Sequence, residues 1–319
     1  MDVQYQSNSL AQSNLATVQG QTFFQGQQQN NNPGIQLSEE AKSQNAKLLE
    51  IYRNTAKNYF FQKALMIGSN LCYIAEIEFY QSPDSFIHGD PYQLTHNCFY
   101  FHRQNGKGYK AGTYKGLDIT IGAPPDFFGG MLIRSILTPQ GFIEGPCKVV
   151  DYILSTNGFE SIDQMITAIL ILAGKQGKEI REPIACDFDN PYLRLILNLR
   201  EETPIYNGPR VGLNLKKEQY IMGSRCQYIM KSYRFTCYPA MLKNDRHMLA
   251  VQARFNNVPD DVITRDFNLQ AGLLTKWVTN FIKGKSMMCE FFLTAENNKL
   301  DKVAVQLQAM GFFLNIDGY

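Results

Sequence analysis

Two glutamates, Glu76 and Glu78, stand two residues apart in the stretch YIAEIEFY, whose other residues are apolar or aromatic. This composition predicts a β-strand, in which alternate side chains point to opposite faces of the sheet. Glu76, Glu78 and Tyr80 therefore share one face, and the two carboxylates lie about 7 Å apart if each residue advances the strand by roughly 3.3 Å. A strand face with two acids and a phenol could perform acid–base chemistry, so it is the first candidate for a functional site.

Three of the four histidines fall within one window of fifteen residues after this strand, at His88, His96 and His102. The text around them, FIHGDPYQLTHNCFYFHR, adds an aspartate, several aromatic residues and an arginine. The histidines could bind a metal, although the tight H-E-x-x-H spacing of many zinc sites is absent. They could instead be structural groups that satisfy backbone atoms near turns. They could also line a pocket for a flat polar ring, with aromatic faces stacking on it and imidazoles hydrogen-bonding to it.

The composition is that of a globular protein without structural disulfides. With 319 residues, of which 44% are hydrophobic and 19% charged, the chain can bury a large core as one domain or two. No run approaches the roughly 18 consecutive apolar residues of a membrane span, and no secretory signal or transit peptide is recognisable, so we expect a nuclear or cytoplasmic protein. Seven scattered cysteines without a C-x-x-C pair indicate neither a disulfide framework nor a zinc knuckle. We expect no metal and no cofactor, and the net charge of +2 permits binding to a polyanion.

Three segments differ in composition. Residues 1–36 are rich in Gln, Asn and Ser and predict a disordered tail. Residues 37–245 begin with a helical pattern and continue as short strands, among them GPCKVVDYIL and RVGLNL, interrupted by one helical stretch, FESIDQMITAILILAGKQGK. Residues 246–319 predict a helical extension packed on this domain. The fold class is therefore α+β, with a single mixed, mainly antiparallel curved sheet surrounded by helices.

Several segments, taken in order, resemble landmarks of the alkyladenine (3-methyladenine or methylpurine) DNA glycosylases, in a divergent branch of that family. They extend over roughly residues 70–240 and read IAEIEFY, DPYQLTH, AGTYKGLDITIG, GGMLIRSIL, EGPCKVV, PRVGLNL and KSYRF. The resemblance implies a base excision repair enzyme that binds double-stranded DNA and flips an alkylated purine out of the duplex. It then hydrolyses the N-glycosidic bond of that damaged base.

The resemblance assigns roles to the strand face. Glu78 corresponds to the catalytic glutamate, which activates a water and stabilises the positive charge of an oxocarbenium-like transition state. Tyr80 corresponds to the tyrosine that stacks on the flipped base. Because no lysine nucleophile stands at a corresponding place, the reaction implied is monofunctional hydrolysis. The neighbouring Glu76 could pair with Arg134 or Arg210, raise the pKa of Glu78, or lie at a polar edge.

Further site residues follow from the same resemblance. The histidine that binds the base is His96, which ends DPYQLTH, or His88, which stands at nearly the family's distance from Tyr80; His96 is favoured. Arg134 corresponds to an arginine beneath the pocket and could contact a DNA phosphate or hold the carboxylates. His102, in YFHR, is expected in the core or at a strand edge.

The stretch NGKGYKAGTYKG is basic, aromatic and rich in glycine. It suits contact with a nucleic-acid backbone, and it equally suits a solvated turn. It holds Lys107, Lys110 and Lys115 around Tyr109 and Tyr114. We expect Lys115 to bind DNA and Tyr114 to lie at the base, where it could fill the gap left by the flipped nucleotide if the register shifts by one residue.

An alternative function is a glycosylase-like scaffold that has lost catalysis and serves as a binding or structural subunit of a larger assembly. Two departures from the family favour it. Lys115 precedes the hairpin glycine where the family inserts a bulky residue, and the pocket asparagine has no counterpart near Gly122. Such a protein would meet its partners through the C-terminal helices or the Gln/Asn-rich tail. A third possibility is a glycosylase that acts on RNA or free nucleosides.

Overall fold

A computed structural model gives the fold. It describes residues 39–104, 108–175, 183–216, 225–226, 228–287, 290–294, 297, 299–300 and 302–316. The predicted Gln/Asn-rich tail and Lys107 lie outside the described residues.

The helices of the described residues lie before, between and after the strands. Their bounds are α1 (Glu39–Phe61), α2 (Pro146–Thr156), α3 (Ile162–Leu172), α4 (Arg246–Phe255), α5 (Asp260–Asp266), α6 (Leu273–Lys285), α7 (Glu290–Leu293) and α8 (Val303–Ile316).

The strands occupy the middle of the chain. Their bounds are β1 (Lys63–Ile67), β2 (Asn70–Gln81), β3 (His96–Phe101), β4 (Arg103–Gln104), β5 (Gly108–Tyr109), β6 (Leu117–Ile121), β7 (Gly129–Thr138), β8 (Gly141–Glu144), β9 (Ile184–Ala185), β10 (Leu193–Leu197), β11 (Tyr206–Gly208) and β12 (Arg234–Thr236).

Ten of these strands form one sheet, and β4 and β5 form a separate pair. The main path runs β10-β1-β2-β7-β6-β3-β9, with β8 beside β7 and with β12 between β2 and β11. Each pairing between the described strands is antiparallel. The predicted α+β class with a mainly antiparallel sheet is therefore confirmed. Among the described residues, no helix combines the length and the apolar character needed to cross a membrane.

Two of the strand predictions are wrong. GPCKVVDYIL forms α2, because Val149, Val150 and Ile153 recur at helical spacing and are all buried. Pro146 begins this helix, a position where its missing N–H and fixed φ cost nothing. RVGLNL, residues 210–215, contains no helix or strand, and β11 lies just before it.

The central strand β2 has two unlike faces, and both are buried. Ile77 and Phe79 point into the apolar core and are at most 1% exposed. Helix α1 covers this side, where the ring of Tyr52 stacks on the ring of Phe79 with centroids 4.2 Å apart and planes 8° apart. The opposite face carries Glu76 and Glu78, which are 1% and 4% exposed. Charged groups therefore lie inside the protein on one side of this strand.

The C-terminal helices build a second apolar cluster, which also takes in Tyr206 and Leu242 from before α4. Helices α6 and α8 cross closely at two glycines. A Cβ atom on Gly284 would overlap the backbone of α8, and one on Gly311 would overlap the backbone of α6. The close crossing lets the apolar side chains of both helices pack into one core.

Replacing Tyr52 tests the packing of α1 on β2. The Tyr52 hydroxyl is buried and has no hydrogen-bond partner among the described residues, a situation that costs about 1–3 kcal/mol. We expect Tyr52→Phe to raise the free energy of unfolding, because it removes the hydroxyl and keeps the stacked ring. We expect Tyr52→Ala to lower it by about 3–5 kcal/mol. Urea denaturation measures both, and a loss of stability in Tyr52→Phe would contradict the unpaired hydroxyl.

Candidate functional site

A row of side chains from five neighbouring strands crosses the polar side of the sheet. Strand pairing places Arg234, Glu78, Leu132, Asp118 and Tyr100 next to one another, in that order, on β12, β2, β7, β6 and β3. Directly opposed residues of antiparallel strands point to the same face. The four polar members are at most 4% exposed. We call these five residues the polar row.

Glu76, two residues before Glu78 on β2, is the most completely paired acid. Arg234 Nε donates to its Oε1 at 2.5 Å, and Arg134 Nε approaches the same oxygen at 3.3 Å. The Ser135 hydroxyl donates to its Oε2. Burial alone would raise the pKa of Glu76, but the two guanidiniums hold that pKa below its usual range. Glu76 is therefore a fixed anion that anchors the arginines.

Glu78 is held less tightly. Its Oε1 accepts the backbone N–H of Val211 at 2.6 Å, whereas its Oε2 has a long contact of 3.4 Å with Arg134 Nη1. Burial raises the pKa of Glu78, and the charge of Arg134 offsets this only in part. A carboxylate with a raised pKa and one loosely held oxygen is suited to accept a proton. Arg210, the other predicted partner of the acids, instead pairs with Asp84 at 2.7 Å.

Asp118 is a further buried carboxyl on this side of the sheet. One of its oxygens, Oδ1, lies 2.9 Å from Nε2 of His102, and the other accepts the hydroxyl of Tyr80. Burial, and after it the charge of Glu78, hold the pKa of Asp118 well above its usual range. Burial also holds the pKa of His102 well below its usual range. Both directions favour a neutral pair, with one proton in the hydrogen bond between the two side chains, over an ion pair.

The phenol ring of Tyr80 reaches from β2 across β7 to β6. Its hydroxyl donates to Asp118 on β6 and accepts from Gln93 Nε2 at 2.9 Å. The ring passes over Gly130 of β7, where a Cβ atom would overlap it. A Cβ atom on Gly122 would likewise overlap the backbone carbonyl of Gln93. The two glycines thus leave room for the groups that fix this ring.

The two histidines that were candidates for binding the base, His88 and His96, have different surroundings. The ring of His88 meets the ring of His102 edge-on, with centroids 4.9 Å apart, and Lys110 Nζ lies 3.0 Å from His88 Nε2. His96 is exposed at the start of β3. The histidine expected in the core or at a strand edge, His102, is thus the one that contacts a buried acid, Asp118.

Tyr114 and Lys115 of the basic stretch lie away from the polar row. Tyr114 is 76% exposed at the end of a 3-10 turn, Gly112–Tyr114. Lys115 follows it and forms an ion pair with Asp151 of α2. The structure therefore brings Glu78, Tyr80 and Arg134 together on one side of the sheet, and it keeps Tyr114 and Lys115 apart from them.

Asp118, Gln93 and Arg234 belong to this site and are missing from the sequence-based prediction. Asp118 has a local signal, because it alternates with apolar residues in LDITI as the glutamates do in β2. Gln93 and Arg234 have none, since their roles depend on which strands become neighbours.

The described residues contain no group of three or more His, Cys, Asp or Glu side chains arranged to hold a metal ion. A cavity of about 300 Å³ lies elsewhere, with Tyr206, Cys237 and Asp266 in its wall. No residue that lines this cavity belongs to the polar row. The cavity is therefore separate from Glu78 and Asp118.

No protein-family model matches the chain. Over 188 residues the chain is 34% identical to "Uncharacterized protein L759" of Acanthamoeba polyphaga mimivirus. The match covers 53% of this chain and 82% of the mimivirus protein. The two proteins are therefore related, and the name of the mimivirus protein states no activity.

Asp118→Asn tests the neutral pair. The titratable groups that face Asp118 are Glu78, Tyr80, His102 and Tyr100. Because the pKa of Asp118 is higher in the folded than in the unfolded protein, its contribution to stability is complete below the unfolded value. That contribution is lost as the pH rises through the folded value. Asparagine keeps the volume and can still accept from the tyrosine, so the variant should fold.

We expect the free energy of unfolding of Asp118→Asn to increase relative to that of wild type as the pH rises above the ordinary pKa of an aspartate. Urea denaturation of both proteins at several pH values measures the difference. A difference that does not change with pH would contradict the raised pKa.

Proposed function

The chain belongs to the same family as the uncharacterized protein L759 of Acanthamoeba polyphaga mimivirus, and we propose that it is a monofunctional DNA glycosylase. The substrate in this proposal is an alkylated purine flipped out of double-stranded DNA. Glu78 takes a proton from the water that replaces the base at the sugar. The ordered resemblance to the alkyladenine DNA glycosylases supports the substrate class, and the contacts of Glu78 support the chemistry.

The unequal hold on the two oxygens of Glu78 is the observation that carries the proposal. The backbone N–H of Val211 fixes Oε1 at 2.6 Å and so fixes the orientation of the carboxylate. The long 3.4 Å contact with Arg134 leaves Oε2 as the oxygen better able to accept a proton. The negative charge beside the sugar would also stabilise the oxocarbenium-like transition state. A rigid strand suits both tasks, because it holds the carboxylate in place.

Tyr80 supports the binding of a flat base. One face of its ring lies over Gly130, and its hydroxyl is fixed by Asp118 and Gln93. Tyr80 is partly exposed, and a ring already held in place can stack on a base with little loss of side-chain entropy on binding. In this proposal the flipped purine stacks on this ring, close to Glu78 on the same strand.

A second candidate is the scaffold without catalysis, acting as a subunit of a larger assembly. The burial of Glu78 favours this candidate. Only 4% of the residue is exposed, and both of its carboxylate oxygens have partners. In that case the buried charges would serve to specify the strand arrangement, and the protein would act through its surface.

Glu78→Gln separates the two candidates. Glutamine keeps the shape and can still accept from Val211, but it cannot take a proton from water. We expect the release of methylated purine from methylated duplex DNA, measured under single-turnover conditions, to fall about 100-fold or more. Glu201→Gln, which changes an exposed glutamate, should keep the wild-type rate.

Wild-type protein that releases no base, or a Glu78→Gln variant that releases base at the wild-type rate, would contradict the catalytic proposal. Absence of release together with a stoichiometric complex in native extract, seen by size-exclusion chromatography and pull-down, would support the scaffold instead.

Tyr114, at the end of the 3-10 turn Gly112–Tyr114, is predicted to contact DNA. An exposed aromatic ring that stacks on a base contributes about 1–3 kcal/mol to binding. We expect Tyr114→Ala to weaken binding to duplex DNA with an abasic site by this amount, measured by fluorescence anisotropy. Leu199→Ala, at an apolar residue that is 74% exposed, is the matched control and should bind like wild type. Equal affinities of the two variants would exclude the proposed contact.

A further inference from the structure

The N–H that orients Glu78 belongs to a segment without regular secondary structure. Strand β11 ends at Gly208, and residues 209–216 form neither helix nor strand. Val211 lies in this segment and donates its N–H to Oε1 of Glu78 at 2.6 Å. Because strand pairing ends before Val211, the position of this N–H depends on contacts outside the sheet.

The residue before Val211, Arg210, is anchored by a buried ion pair. Its Nη1 lies 2.7 Å from Oδ2 of Asp84, and the two side chains are 4% and 1% exposed. Its Nη2 donates to the backbone carbonyl of Tyr228 at 3.4 Å. The ring centroids of Phe86 and Tyr233 lie 5.7 and 5.9 Å from its guanidinium carbon, within the range of cation–π attraction. The guanidinium is therefore held on several sides inside the protein.

The other member of the pair, Asp84, belongs to the turn that follows β2. Its N–H donates to the carbonyl of Gln81, the last residue of β2, at 2.9 Å. Its Oδ1 accepts the N–H of Phe86 at 2.9 Å. Asp84 therefore has a fixed place relative to β2, and its ion pair with Arg210 ties the segment of Val211 to that strand.

The charges that act most strongly on Glu78 belong to other residues. The titratable and charged groups that face Glu78 are Arg134 of β7, Arg234 of β12, Glu76 of β2 and Asp118 of β6. The guanidinium of Arg210 is instead directed to Asp84. An effect of this ion pair on Glu78 is therefore expected to pass through the N–H of Val211.

We propose that the buried ion pair of Asp84 and Arg210 positions the catalytic carboxylate, because it holds the N–H of Val211 against Oε1 of Glu78. This inference rests on the proposed glycosylase function, in which Glu78 is the catalytic residue. Asp84 and Arg210 are positioning residues that act through Val211.

The N–H of Val211 has two effects on Glu78. It holds Oε1 and so leaves Oε2 as the oxygen that accepts a proton in the proposed reaction. Burial raises the pKa of Glu78, and the hydrogen bond from Val211 lowers that pKa because it stabilises the charged form. Loss of the ion pair should therefore free the carboxylate to turn and keep it protonated up to a higher pH.

A double variant removes the ion pair without leaving one buried charge unpaired. Asp84→Asn keeps an oxygen that can accept from Phe86, and Arg210→Met keeps an unbranched stem between the aromatic rings, so the double variant should fold. The matched control is Arg254→Met with Asp260→Asn, which removes an ion pair whose side chains are 46% and 61% exposed. Both double variants leave the net charge of the protein unchanged.

A milder variant, Arg210→Lys, keeps a positive charge beside Asp84 and loses the forked guanidinium. It therefore weakens the hold on the segment of Val211 and leaves the buried aspartate paired. This variant decides the question if the double variant does not fold.

The first readout is the titration of Glu78, followed by NMR of protein labelled at the glutamate carboxyl carbons and assigned with Glu78→Gln. We expect Glu78 to titrate at a higher pH in the double variant than in wild type. Arg210→Lys should lie between the two. The control variant should titrate like wild type.

The second readout is the single-turnover release of methylated purine from methylated duplex DNA as a function of pH. Near neutral pH we expect the double variant to be about 10-fold or more slower than wild type, the effect of losing a hydrogen bond to a charged group. The acid limb of its pH profile should move to higher pH, because the base must be deprotonated to act. A purely structural role would lower the amount of folded protein and leave this limb in place.

Thermal melting shows which variants are folded. A wild-type titration of Glu78 in the folded double variant, or in Arg210→Lys if the double variant does not fold, would overturn the positioning role. No release of base by wild type would overturn the proposed function instead. The titration needs no substrate and would still decide whether the ion pair positions Glu78.

Discussion

The burial of Glu76 and Glu78 against two arginines is the constraint on which the rest of the structure depends. Each buried charge costs several kcal/mol of desolvation unless a partner and hydrogen bonds compensate it. Arg234 supplies this from β12 and Arg134 from β7, the two strands that flank this part of β2. A different strand order would leave unpaired charge inside the protein, at a cost of about 3–5 kcal/mol. The charges therefore help to select the strand order as well as to form the site.

The same charges connect the C-terminal helices to the sheet. Arg234 donates to the backbone carbonyls of Asn244 and Asp245, at 3.4 and 3.2 Å, just before α4. The Asp245 side chain accepts from Gln306 of α8 at 3.1 Å. A continuous path of hydrogen bonds thus runs from α8 to Glu76. The helical extension thus contributes to holding Glu76 in place, since Arg234, which donates to Glu76, is itself held by the segment that leads into α4.

Local sequence predicts β2 and the shared face of Glu76, Glu78 and Tyr80, because a period of two is a property of the strand alone. It cannot predict the polar row, because the register between strands far apart in sequence depends on the whole fold. Asp118 and Arg234 therefore become site residues only when β6 and β12 take their places. The β-branched and aromatic residues of the α2 segment favour a strand, whereas the spacing of its apolar residues favours a helix. Tertiary packing decides such short apolar segments.

In the proposed function, Glu78 stabilises positive charge on the sugar of a flipped nucleotide. The most direct measurement compares affinities for duplex DNA with a cationic pyrrolidine abasic analogue and with the neutral tetrahydrofuran analogue. We expect wild-type protein to prefer the cationic analogue by about 100-fold or more, as transition-state analogues are preferred, and we expect Glu78→Gln to lose the preference. Equal affinity of wild-type protein for the two duplexes would contradict this role of Glu78.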